Sequence, residues 1–289
     1  MIDAQATGVA AKPVTARSGL VLLAMCAGMF LVLLDVTVVN VAVPSITSGL
    51  HASTAGIQWV VDGYTVALAS LLLAGGALGD RLGHRPAVLC GLAIFGLASA
   101  GCALAPSALA LVAARAAQGI GAALLLPGSV AAIADAFPER AAQAKAFGVW
   151  AAVSALALPA GPLLGGFLVQ SRGWRSVFWI NPPVVLACLI GVVVWVDAVP
   201  GRRRRRLDCG GLLLGTVGLA ALVYAVIAAA GDGTAAIAAS VTGSVAFVGF
   251  ILVERRAADP LLPPSVFKVP SFGIANGSAF VMKIGRAHV

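Results

Sequence analysis

The sequence predicts an all-helical bundle that crosses a membrane several times, and three observations carry that prediction. Hydrophobic residues fill 60% of the 289 positions and charged residues 10%, with a mean hydropathy of +1.01. A chain this apolar cannot hide its side chains in a water-soluble core. The apolar residues fall into eight runs of about 20, the length a helix needs to cross a bilayer. Finally, a shift of 90 residues aligns Gly75, Gly76, Leu78, Gly83 and Arg85 with Gly165, Gly166, Leu168, Gly173 and Arg175. The first copy follows span two and the second follows span five, so two three-helix units of opposite orientation are expected, an arrangement common in secondary transporters.

The first span runs from Leu20 to Val43, after Lys12 and Arg17. A signal peptide is the competing reading, but no small-x-small cleavage site follows and the apolar run continues. The next four spans are Gln58 to Leu78, Ala87 to Ala105, Ser107 to Pro127 and Ala146 to Val169. A sixth, Val177 to Val196, precedes the basic run Arg202 to Arg206, and Leu212 to Ala230 and Thr234 to Val253 complete the eight. Another apolar run starts near Phe272 and the chain ends before it could cross. The expected organisation is a cytoplasmic segment (1–19), a six-helix bundle (20–199), a basic linker (200–211) and two accessory helices (212–253). A cytoplasmic connection (254–270) and the start of a ninth helix (271–283) follow. Residues 284–289 break the apolar pattern with Arg286 and His288 and read as sequencing-adapter read-through.

With the N-terminus inside, Lys12, Arg17, Arg81, Arg85, Arg140, Lys145, Arg202 to Arg206, Arg255, Arg256 and Lys268 all face the cytoplasm. Only Arg172 and Arg175 fall in outward connections, which is the asymmetry that retention of positive charge inside predicts. The net charge of +8 therefore sets orientation, and the arginine run is expected to meet anionic lipid headgroups. Basic residues dispersed in short connections, with no aromatic-studded basic face, exclude a nucleic-acid partner. Cys26, Cys90, Cys102, Cys188 and Cys209 lie singly, with no metal spacing and no disulfide framework, and read as packing residues.

Charge is crowded between two apolar runs in the stretch Gly75 to Pro86, which reads as a tight hinge. Gly79 and Gly83 would let the backbones approach and turn. Asp80 is expected to accept from free amides at a helix start, and Pro86 suits a first turn.

Inside the spans, Asp35 and Arg115 stand out. A charge at the centre of a membrane helix costs about 2.5 to 3.5 kcal/mol even on the gentlest scale, so a functional reason is the default. Counted at about 1.5 Å per residue, both lie roughly 12 Å below the outer ends of their spans, and equal depth makes them a candidate pair. Arg115 sits too deep to snorkel easily. Asp62 lies only about 6 Å inside span two. It reads either as an interfacial carboxylate or, with Trp59 and Tyr64, as part of a cation site; the two aromatics fit an interfacial belt equally well. In span five, Pro162 removes an amide, while Gly161 and Gly165 form a small-xxx-small face beside Gly166.

The hinge resembles the loop between helices 2 and 3 of the major facilitator superfamily, written G-x-L-a-D-r-x-G-r-k. Gly76, Leu78, Asp80, Arg81, Gly83 and Arg85 match, and His84 stands where Arg or Lys is usual. The stretches around Asp35, Arg115 and Gly161-Pro162-x-x-Gly165-Gly166 are similar to the first-helix, fourth-helix and antiporter motifs of drug:proton antiporters. Gly173-Trp174-Arg175 and Phe178-Trp179-Ile180-Asn181 are similar to the same group, and the pair of spans after the arginine run points to its fourteen-helix branch. Ala155 and Ala157 depart from that branch, which often has glycine there. The resemblance covers Arg17 to Met282 and implies a fragment lacking the C-terminal bundle.

What it implies for function is a proton-coupled exporter of amphiphilic or cationic compounds in a bacterial-type cell membrane, with protons and a small molecule as partners and no cofactor beyond the proton gradient. Asp35, Arg115 and Asp62 would couple protons, and Asp80 and Arg81 would gate. The alternatives are an exporter of one metabolite, antibiotic or lipid, an importer, or a membrane protein that does not transport. No G-x-x-x-x-G-K-[ST] loop occurs, which excludes ATP-driven transport through such a site. A lipid-modifying enzyme would need a cluster of nucleophile, base or metal ligands, whereas His51, His84 and His288 are scattered.

Overall fold

The computed structural model describes residues 15–199, 208–229 and 233–256. The arginine run, most of the 254–270 connection, the expected ninth helix and residues 284–289 lie outside the described residues. Those described form nine helices and no strand: α1 (Ala16–Leu50), α2 (Thr54–Leu82), α3 (His84–Leu104), α4 (Ala108–Ala136), α5 (Arg140–Arg172), α6 (Ser176–Trp179), α7 (Asn181–Trp195), α8 (Cys209–Ala228) and α9 (Gly233–Arg256). Helices α6 and α7 make one span, giving eight stretches long and apolar enough to cross a membrane.

Several ends are set by local chemistry. Thr15, Ser53, Ser107 and Asp208 are N-caps whose side chains accept from the amides of Ser18, Gly56, Ala110 and Gly211. Each satisfies a donor that the first helical turn leaves free. Helix α1 runs on past Val43 to a left-handed His51 (φ 48°), so the helix outlasts its apolar run. The sixth span divides before Pro182 and Pro183, which have no amide to donate to the preceding turn. Ile180 between the two pieces keeps helical dihedrals, φ −67° and ψ −27°, so the span keeps its direction.

Gly83 and Gly173, 90 residues apart, have φ of 98° and 78°, and no other glycine among the described residues has a positive φ. Each ends a helix, its amide bonding the carbonyl four residues back, at Gly79 and Val169. A side chain there would be strained, which accounts for the repeated glycine. Gly83 alone separates α2 from α3, so the residue at the cap position of α3 has no side chain. Asp80 lies exposed in the last turn of α2.

The repeat also organises packing. The second helix of each triplet packs on the first helix of the other: α2 on α4, and α5 on α1. A methyl at Gly75 would run into the Ala123 carbonyl of α4, and one at Gly161 into Thr37 of α1. A methyl at Gly165 would lie 3.3–3.4 Å from Val38 and Val41, whereas Gly76 and Gly166 have room. Pro162 is exposed. Helices α8 and α9 pack on each other and, through α8, on α2.

Candidate functional site

Asp35 and Arg115 meet in the interior of the first six spans, 2% and 1% exposed. Arg115 Nη1 donates to Asp35 Oδ2 and, at 2.9 Å, to Gln118 Oε1. Its Nε donates to the Val60 carbonyl at 3.1 Å, and its guanidinium lies 4.4 Å from the centre of the Tyr64 ring. Tyr64, 1% exposed, donates its hydroxyl to the Val32 carbonyl at 3.3 Å.

Asp35 Oδ1 accepts from Gln118 Nε2 at 3.2 Å and from Asn181 Nδ2 at 3.0 Å. Ser99 Oγ accepts from the same two amides, at 2.7 and 3.2 Å, and donates to the Phe95 carbonyl at 2.7 Å. Cys102 Sγ is 3.2 Å from Gln118 Oε1. A guanidinium only donates and a carboxylate only accepts, so the Gln118 amide has one orientation: oxygen toward Arg115, nitrogen toward Asp35 and Ser99. Five spans supply this network: α1, α2, α3, α4 and α7. A buried ion pair is stable only when the remaining lone pairs and protons also find partners, and here both carboxylate oxygens and the guanidinium Nε and Nη1 have them. Breaking one contact would leave a buried charge or polar group without its partner.

The structure divides the residues singled out by sequence. Tyr64 lies in the network. Asp62 does not; it is half-buried and hydrogen-bonded to the Gln58 side chain. Trp59 is 40% exposed and stacks on Tyr224 of α8, with ring centres 5.7 Å apart. Thus α8 covers the aromatic end of α2. Arg81 is exposed, whereas Arg85 turns inward and donates from Nη2 to the Val193 carbonyl at 2.6 Å. Sequence reasoning missed Gln118, Asn181 and Ser99. Gln118 was readable as the residue one helical turn after Arg115, and Asn181 as an amide within an apolar span. Ser99 carried no signal, since serines such as Ser70, which bonds the Val66 carbonyl at 2.6 Å, occur in these helices for local reasons. Among the described residues no three His, Cys, Asp or Glu side chains converge as metal ligands.

The chain is 42% identical to the methylenomycin A resistance protein of Bacillus subtilis, over 93% of this chain and 58% of that protein. It is 38% identical to the multidrug resistance protein Stp of Mycobacterium tuberculosis, over 89% of this chain and 48% of that one. It therefore spans about half the length of the curated relatives it matches. Its fold is similar to the crystal structure of peptide transporter POT in complex with sulfate, with a TM-score of 0.61 at 16% identity over 82% of this chain and 53% of that chain. Residues 25–208, which include the buried ion pair and both glycine turns, match the Major Facilitator Superfamily, and the chain belongs to that family of membrane transporters.

Proposed function

We propose that the protein is a proton-coupled efflux transporter of a bacterial cell membrane, with its N-terminus in the cytoplasm, exporting amphiphilic or cationic compounds. The observation that carries this reading is the Asp35–Arg115 pair, an ionisable carboxylate inside the membrane whose partners Arg115, Gln118 and Asn181 lie on two other spans. In one state Arg115 and the two amides hold the carboxylate as an anion; in another, rearranged helices separate them and the acid takes a proton. The resistance proteins named above support export as the direction. Asp62 would offer a second, outer site for a cation, and Asp80 and Arg81 would close the inner gate by charge-assisted hydrogen bonds. Residues 20–199 would move as one unit, with 212–253 as accessory helices and the 202–206 arginines on anionic lipid.

The test is pH-gradient collapse on substrate addition, using the complete protein in vesicles. Asp35→Asn keeps size and hydrogen bonding, so it should fold, bind substrate and no longer exchange protons. Exchange at the normal rate would remove Asp35 from coupling. A second reading, export of one antibiotic, is favoured by the relative named for methylenomycin A alone; a transport screen in which a single compound is pumped would select it.

A further inference from the structure

The repeat puts Arg85 and Arg175 at equivalent places, each two residues after a positive-φ glycine. Their contacts are reciprocal. Arg85, in the first turn of α3, donates to the Val193 carbonyl in the last turn of α7, at 2.6 Å. Arg175, just before α6, donates from Nη2 to the carbonyl of Ala105, which ends α3, at 3.0 Å. Helix α3 and the sixth span are thus antiparallel neighbours, each beginning with an arginine that caps the other's end. The Val193 carbonyl belongs to the final turn of α7, where no amide follows and a cation is favoured, and the Ala105 carbonyl belongs to the residue that caps the end of α3. Arg17 adds a further grip at one end, its Nε donating to the Trp195 carbonyl at 3.0 Å.

Between the two clamps the same helices meet through the Asn181 amide and the Ser99 hydroxyl, which are also the groups around Asp35. A slip of one residue would move Asn181 by about 1.5 Å along the axis and 100° around it, and its hydrogen bond to Asp35 would be lost. We propose that Arg85 and Arg175 are positioning residues whose paired clamps hold α3 and the sixth span in the register that delivers Asn181 to Asp35. Arg85 then works within the six-helix unit and not at the gate. This deepens the coupling role proposed for Asp35, and its consequence for transport rests on that reading.

The test reads the carboxylate directly. In the complete protein in lipid nanodiscs, the Asp35 carboxylate band is assigned by infrared difference spectroscopy as the one lost in Asp35→Asn. The double variant R85Q/R175Q and N181A should each shift that band, and R85K/R175K, which keeps a cationic donor at both ends, should restore it. Hydrogen exchange should quicken by roughly tenfold or more in R85Q/R175Q at the two helix ends the arginines serve, around Val193 and around Ala105, and stay at the wild-type rate there in N181A. An unshifted band in folded R85Q/R175Q, or in N181A, overturns the proposal. If the double variant does not fold, single R85Q and R175Q should each loosen the helix ends they serve, and wild-type exchange there overturns it equally. Loss of proton exchange in Asp35→Asn with an unshifted band in R85Q/R175Q would refute the clamps and leave the coupling; the reverse result would refute the coupling and leave the clamps.

Discussion

The Arg115 guanidinium lies over the ring of Tyr64, 4.4 Å from Cζ to ring centre, so the cation that neutralises Asp35 is held from one side by an aromatic face. The ring contributes by its quadrupole and by excluding water, and the hydroxyl by fixing the ring to the Val32 carbonyl. Tyr64→Phe should cost about 1 kcal/mol or less, the worth of one hydrogen bond. Tyr64→Ala should cost more, about 3–5 kcal/mol, because a fully buried aromatic is lost. Thermal unfolding of the detergent-solubilised protein distinguishes the two.

Removing one partner of a buried ion pair leaves the other charged and unpaired. Arg115→Met should therefore destabilise by about 3–5 kcal/mol, and adding Asp35→Asn should recover much of it. A double-mutant cycle on unfolding midpoints measures the coupling. Additive losses would mean that the two side chains do not interact in the folded protein.

Neighbouring glycines in the repeated motif should respond differently. Gly75→Ala and Gly161→Ala force α2 off α4 and α5 off α1, whereas a methyl at Gly76 meets Pro127 at an ordinary 3.8 Å and one at Gly166 enters open space. The first pair should lower the unfolding midpoint markedly, by the 1–3 kcal/mol typical of overpacking, and the second pair should leave it nearly unchanged. Thr37→Ala should partly rescue Gly161→Ala, because Thr37 is the group in the way.

The stack of Trp59 on Tyr224 ties α2 to α8. Deleting either ring should weaken that contact by about 0.5–1.5 kcal/mol beyond lost area, with no extra loss when both go. Asp62 lies outside the Asp35 network. Asp62→Asn should therefore change transport of cationic substrates more than neutral ones in the complete protein, and equal effects on both would assign it a structural role.

Among the described residues, the eight apolar runs, the glycine turns and the depth of Asp35 and Arg115 were legible in the sequence. Each of these is a property of one segment: about 1.5 Å of rise per residue fixes depth, and a left-handed turn needs glycine at 83 and 173. Depth counting alone made Asp35 and Arg115 a candidate pair, even though α1 extends well past the end assumed for it. Packing settled which neighbours complete that pair, that Tyr64 joins it while Trp59 turns to α8, and that Arg85 reaches Val193. Apolar helices of this kind are hydrophobic all round, so no amphipathic stripe says which face meets which helix. Rotation about the axis is set by where small residues let backbones close, as at Gly75 on Ala123 and Gly161 on Thr37, and those partners lie far apart in the chain.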